Sequence, residues 1–336
     1  MAIAVYTSSD EKFAFAEQTT WGTAVSASAA KIGIFTEGFG IDSSINFRSP
    51  SRAKAQRYNM AADMIADQKG IVYQTNGLTT PAMKDQLDYF LYGVMQNVTE
   101  SSGTPFAKTF TFGQTQPDFS VSAGIFFTLW GQQPVGTNSQ QLYDAIVSEV
   151  TFTCAPGAND GALSVAPVFV ARNNTDVANP SGTVTYPDQA STDFYYFHDI
   201  VTAHFNSLDL ILGENGLTIT IRNGAVRVGM GSGVFQTFVL PRYEVEIQAH
   251  ALWDTTTRTG MVDAKAGTAR TFEFEWGSAG VDGHLEFTGT AKLQNAVNLE
   301  HAVEGNFVTL NLLCAGTYTS TQPLQVVHSN AADRAW

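Results

Sequence analysis

Apolar residues alternate with polar or glycine positions along much of the chain, and a period of two is the mark of half-buried β-strands. Ile32, Ile34, Phe39, Ile41, Ile45 and Phe47 alternate in this way, and residues 71–74 resume the pattern after an intervening loop. Residues 109–112 and 119–130 are rich in Phe, Val and Thr. Ile146, Ser148, Val150, Phe152 and Cys154 share one parity, a turn follows at 155–161 (APGANDG), and 163–170 reads as the returning strand. Further on, Leu208, Leu210 and Leu212 alternate, 213–216 reads as a turn, and Leu217, Ile219 and Ile221 alternate again. Residues 237–251 read as one long strand with Tyr243, Val245, Ile247 and Ala249 on one face, and strands at 271–276, 285–294 and finally 307–313 complete the set.

One stretch changes period. Across 80–96, Met83, Leu87, Leu91 and Val94 recur every three or four residues with Phe90 beside them, which predicts an amphipathic helix packed on a sheet. Thr79 or Thr80 suits its cap, and Pro81 suits the first helical position, where a missing N–H costs nothing. Lys84, Asp85 and Asp88 fall mainly off the apolar stripe. A weaker helix is expected around 256–265. The fold class is therefore mainly β, as two tandem β-sandwich or barrel domains, each with one flanking helix. The expected divisions are an N-terminal arm (1–26), a first domain (27–172) carrying a long loop (48–59) and the helix (80–96), a linker (173–191), and a second domain (192–336). Each half runs strand pair, helix, then further strands, which suggests an internal duplication.

The 336 residues are 44% hydrophobic and include 23 Phe, ample material for a core and no composition for disorder. Charged residues make up only 15%, against about a quarter in ordinary soluble domains. The polar surface must then come from Ser, Thr, Asn and Gln, which suits strand faces and a protein that covers its surface with copies of itself. A secreted β-protein with a neutral surface has the same composition. The net charge of −13 argues against a protein that grips a phosphate backbone, but suits a wall past which DNA slides. An acidic balance also serves simple solubility. Against that background, Arg48, Arg52, Lys54 and Arg57 stand out as a basic cluster around Ser-Pro-Ser, either solvated or an assembly contact.

Candidate chemistry is sparse. Cys154 and Cys314 are far apart and form no C-x-x-C cluster; they could pair once, or stay buried and reduced. The start of the chain has no basic segment followed by an apolar core, and no run of about twenty apolar residues reads as a membrane span. None of the six histidines forms a helical metal pair, although His198 and His204 flank an apolar stretch beside Asp199. Residues 229–233 (GMGSG) lack the Lys-Ser/Thr of a phosphate loop and read as a glycine-rich hairpin tip. Glu244/Glu246 and Glu273/Glu275 are i, i+2 pairs in strands, so each pair projects from one face. Paired acids could serve glycoside hydrolysis; an acidic solvent- or lumen-facing sheet explains the repetition better. No catalytic residue, cofactor site or metal site is assigned.

The string from Glu17 through Thr19, Thr20, Trp21, Gly22, Thr23 to Ala24 resembles the opening of tail tube proteins from long-tailed bacteriophages and prophages. The long hairpin over 41–74, the single helix over 80–96 and the segment 217–223 (LTITIRN) follow in an order similar to that family's. The resemblance implies a structural virion protein without enzymatic activity or cofactor. It would self-assemble into stacked rings, assembled in the host cytoplasm, that form the tail tube through which DNA passes unbound. Its partners would be itself, the tape-measure protein and the tail-terminator protein, with no membrane. Members with one tube domain form hexameric rings, and members with two fused domains form trimers that imitate a hexamer. On this pattern Phe13, Phe15 and Trp21 of the arm would bridge to a neighbour, Arg48, Arg52 and Arg57 would pack against the next ring, and Glu244, Glu246, Glu273 and Glu275 would face the lumen. Other readings are a decoration or tail-terminator protein, and a carbohydrate-binding or hydrolytic β-sandwich for which 11 Tyr and 5 Trp offer stacking surfaces.

Overall fold

The computed structural model describes residues 12–26, 31–33, 40–43, 46–48, 65–67, 73–76, 78–132, 138–178, 194–231, 234–302, 305–314 and 322–330. The early strands are β1 (Lys12–Gln18), β2 (Lys31–Gly33), β3 (Gly40–Ser43), β4 (Asn46–Arg48), β5 (Ile65–Asp67), β6 (Tyr73–Asn76) and β7 (Thr80–Pro81). Helix α1 (Lys84–Met95) leads to β8 (Gln96–Glu100), β9 (Phe106–Phe112), β10 (Phe126–Gln132), β11 (Asn138–Cys154) and β12 (Ser164–Ala178). The later part holds β13 (Ile200–Phe205), β14 (Leu208–Asp209), β15 (Leu212–Arg222), β16 (Val226–Gly231), β17 (Val234–Val239) and β18 (Glu244–Leu252). Helix α2 (Thr255–Ala266) precedes β19 (Ala269–Trp276), β20 (His284–Ala302), β21 (Gly305–Cys314) and β22 (Leu324–Asn330).

The pairings among these strands are antiparallel, and they build two layers. In one, β2–β1–β10–β11 runs into β12 on the far edge of β11, while β15, β18 and β21 continue from its C-terminal half. In the other, β13–β19–β20–β22–β9–β8 follow one another. Strand β20 belongs to both, pairing β22 through 284–289 and β21 through 291–302, with register shifts at Leu293/Asn295 and Val297/Glu300. Such bulges are how strands pass from one sheet to the other. The layers meet face to face: the rings of Phe152 in β11 and Phe287 in β20 lie 5.1 Å apart, edge to face. One large apolar cluster fills the space between them.

A second hand-over occurs on β11, whose residues 139–145 pair with β10 and 149–154 with β15. Asn223 closes the gap. Fully buried, it donates from Nδ2 to the Val147 carbonyl at 2.6 Å and from its backbone N–H to the Ser148 carbonyl at 3.1 Å. Helix α1 lies against the same place. A Cβ on Gly93 would stand 2.6 Å from Val147 Cγ2, so only glycine lets the helix approach that strand.

The mainly β fold with two helices agrees with the sequence reading, and several boundaries do not. Helix α1 begins three residues late because Thr80 and Pro81 pair with Val165 and Ser164 as a strand, leaving Met83 as the cap residue. Asp88, read as off the stripe, is fully buried. Residues 119–121 form a 3-10 turn rather than the start of a strand. The single strand read at 237–251 is two, β17 and β18, parted at 240–243, where Pro241 cannot donate to a ladder. The turn read at 213–216 is a register shift inside β15. Residues 173–178, given to the linker, continue β12 opposite 138–143; 179–191 lie outside the described residues. The two halves are also stitched together, β11 to β15 and β9 to β22. Strand β22, beyond the last strand expected, supplies the second of those seams.

Candidate assembly surfaces and a buried polar junction

The opening string is not an arm. Strand β1 lies between β10 and β2, and its alternation places Phe13 and Phe15 inward, 4% and 0% exposed. The Phe15 ring packs on Tyr89, Phe90 and Phe127. An apolar strand read as seeking a neighbour finds its burial in its own chain, so these two rings have no surface to lend a partner.

The rest of the string is a clasp. Gln18 donates from Nε2 to the Asp144 carboxylate at 2.6 Å, and the Gly22 N–H donates to the same oxygen at 2.7 Å. Gly22 has φ +84°, a conformation that side chains resist, which explains glycine at this point of the string. Asp144 sits at a bulge in β11 with φ 55°, accepts also from Asn173 at 2.8 Å, and lies 3.5 Å from Arg172. Burial pushes its carboxyl above the ordinary range, against the lowering pull of these donors. Trp21 is half-buried on Phe119, Phe126 and Phe238, with the Arg172 guanidinium 5.7 Å from its ring centre.

Arg48 ends β4; Arg52 and Arg57 lie outside the described residues. The two glutamate pairs fall on strands that do not pair with each other, since β18 joins β15 and β21 whereas β19 joins β13 and β20. Arg222 donates at 2.7 Å to both Glu149 and Glu246, so that acidic row is partly neutralised. On the other layer, Glu275 accepts from Thr202 at 2.8 Å and lies 3.0 Å from His284, while Glu273 lies 3.6 Å from His204. Glu286 stands opposite Glu275, and burial with the nearby Glu273 and Glu275 charges pushes its carboxyl up despite His284.

The sequence reading missed one polar cluster altogether. Asp88 of α1 bonds His328 Nδ1 of β22 with one oxygen and, with the other, accepts from Asn330 Nδ2 at 2.9 Å and meets Lys108 Nζ at 3.0 Å. Lys108 also donates to Asn330 Oδ1 at 2.7 Å, and His328 Nε2 bonds the Tyr195 hydroxyl at 2.9 Å. The order Tyr, His, Asp has the connectivity of a proton relay. All of these groups are almost fully buried, and burial first, then Asp88 and Asp282, pushes the Tyr195 hydroxyl well above its ordinary range, so no nucleophile meets solvent there. The cluster is a junction that locks the last strand to the helix. Its only sequence signal is a set of polar residues at inward parity in β9 and β22.

Cys154 and Cys314 are free thiols; burial pushes Cys154 up to about 12 and Cys314 higher still. Among the described residues no group of three or more His, Cys, Asp or Glu could hold a metal. No helix among them is long and apolar enough to cross a membrane. Trp130 and Trp276 are buried and Trp21 and Trp253 half-buried, so the described residues hold no exposed tryptophan platform for a sugar.

The described residues thus form a two-layer β body with a buried polar junction between helix α1 and strand β22. Residues 8–311 match a family model described as phage tail tube protein, and the chain belongs to that family. This is a family of structural tail components rather than of enzymes. No curated protein matches the chain.

Proposed function

We propose that copies of this chain assemble into rings that stack as the tail tube and conduct DNA without binding it. The observation that carries the reading is the family match over 8–311, which runs through both halves and across the β11–β15 seam between them. If each half acts as one tube unit, three copies make a ring with six-fold appearance. The Arg48, Arg52 and Arg57 segment contacts the next ring, and the half-buried Trp21 offers its remaining face to a neighbour. Glu273 and Glu275, with Glu286 beside them, are the better candidates for the lumen than Glu244 and Glu246, because Arg222 neutralises the latter row. The tape-measure and tail-terminator proteins are the further partners, and assembly takes place in the host cytoplasm.

Negative-stain microscopy of the purified chain tests the reading directly. Annular or tubular particles are the expected result, and class averages report the subunit number. Monodisperse monomers at high concentration would overturn it.

A further inference from the structure

Large apolar side chains exposed to solvent gather mainly at two places. The first is the β16–β17 hairpin, a two-stranded sheet that pairs with no other strand among the described residues. Val226 is 50% exposed, Val228 is exposed beside it, and Val121 is exposed on the 3-10 turn that packs on β17. The base of the hairpin is held by Phe238 and Leu240, which join Phe119 and Phe126 in a small buried cluster. Its fold therefore does not need the outward valines. The second place is the β13–β14 corner on the other layer. There Val201 is 60% and Ile211 56% exposed, Leu208 is exposed, and a cavity of about 370 Å³ opens between Phe197, Ile200, Leu210 and Leu212.

The two places differ in charge. Arg227 alternates with the two hairpin valines and is exposed on the other face of β16, and Arg242, exposed just beyond the base, lies 3.9 Å from Glu244. At the corner, Asp209 lines the cavity with its carboxylate almost wholly in solvent, and Asp199 and Glu273 are partly exposed near it. His204 lies against Asp209 and Glu273, and His198 against Asp199. Strand addition at the corner is disfavoured, because a bulge at Val201 breaks the ladder of β13 and twists that edge. The cavity instead suits side chains.

Apolar patches of this kind mark interaction sites. Because the two patches are unlike in shape and opposite in charge, they fit each other rather than themselves. We propose that neighbouring copies meet head to tail, the β16–β17 hairpin of one copy placing its valines in the β13–β14 cavity of the next, while Arg227 on the hairpin's other face meets the exposed Asp209 carboxylate at the cavity rim. A contact between two different patches is the kind that generates rings or filaments. The inference rests on the self-assembly proposed above, and names the surfaces that meet.

Two chains that each carry one added cysteine, Val228→Cys and Ile211→Cys, test it. Cys154 is buried and Cys314 half-buried, and burial raises both thiols, so the introduced, exposed ones dominate mild oxidation. Mixing the two chains under assembly conditions should give a disulfide-linked dimer, and neither chain alone should. Arg227→Glu and Asp209→Arg should each raise the concentration needed for assembly at least tenfold at low salt, and mixing both changes in one chain should recover most of it. Assembly without the mixed cross-link, or cross-linking within one variant alone, would overturn the head-to-tail contact while leaving the tube reading intact. A wild-type chain that never leaves the monomer would overturn both.

Discussion

Single residues in this chain are held by two different constraints, conformation and space. Gly93 occupies a helical backbone that alanine would normally favour by about 1 kcal/mol. The close approach of Val147 reverses that preference, because a Cβ has nowhere to go. Gly93→Ala is therefore expected to destabilise, by about 1–3 kcal/mol as overpacked cores do, and thermal unfolding should show a lower Tm. A higher Tm would mean that α1 can slide away from β11 without cost. Phe15 makes the complementary case. Its ring is completely buried against three others, so Phe15→Ala should cost about 3–5 kcal/mol. Were it an intersubunit residue, denaturant titration of the monomer would barely change. The strand period of Phe13 and Phe15 was legible in the sequence, yet the partner was not, because alternation reports that one face is buried and never against which surface.

At the scale of elements, the chain is fastened where its strands change partners. The Asp88 junction ties α1, β9 and β22 across wide sequence separations, Asp88 lying 240 residues from His328 and 242 from Asn330. That distance is why Asp88 looked like a surface residue of an amphipathic helix: nothing local announces a cation waiting on one strand and an imidazole on another. β22 itself escaped notice because its second half, His328-Ser329-Asn330, breaks the apolar pattern with three buried polar residues, of which His328 and Asn330 bond within the junction. By contrast α2, β19 and β21 lie close to the weak helix expected around 256–265 and the strands expected at 271–276 and 307–313. Lys108→Met leaves the Asp88 charge buried without its cation, and breaking such a pair costs about 3–5 kcal/mol. Hydrogen exchange should then accelerate first in 324–330 and 106–112; uniform exchange across the molecule would argue against a local lock. The Glu286 corner adds a pH dependence with a definite sign. Its folded-state carboxyl is raised, facing Glu273 and Glu275 on β19 and His284 on its own strand. The folded chain thus holds that proton more tightly than the unfolded one, so the contribution is present in full below the ordinary carboxyl range and fades as pH rises through the raised value. Glu286→Gln should raise Tm at neutral pH and leave it unchanged at pH near 4. An equal gain at both would assign the effect to packing.

For the whole molecule, the decisive property is which outer face a tube turns inward. The chain carries −13 net, but the charge is not spread evenly over the two layers. Around β11, β15 and β18, Arg222 sits between Glu149 and Glu246 and removes much of the field. On the other layer Glu273, Glu275 and Glu286 line adjacent strands, with His204, His284 and Thr202 against them. A conduit for a polyanion should repel it weakly everywhere along the wall, since any cluster of cations would bind phosphates and slow passage in a salt-dependent way. Converting Glu273 and Glu275 together to Lys tests the assignment, with the Glu244/Glu246 pair converted in parallel as the comparison. If the β13–β19–β20 face lines the lumen, the first variant should form tubes of normal diameter that retain DNA in a filter assay at low salt and release it as salt rises, whereas the second should show less retention. The same retention in both variants would place the lumen elsewhere. A folded first variant that no longer assembles would make that face a contact between copies, and the acidic wall would then have to be sought on the Thr-rich surface of β11, β15 and β21.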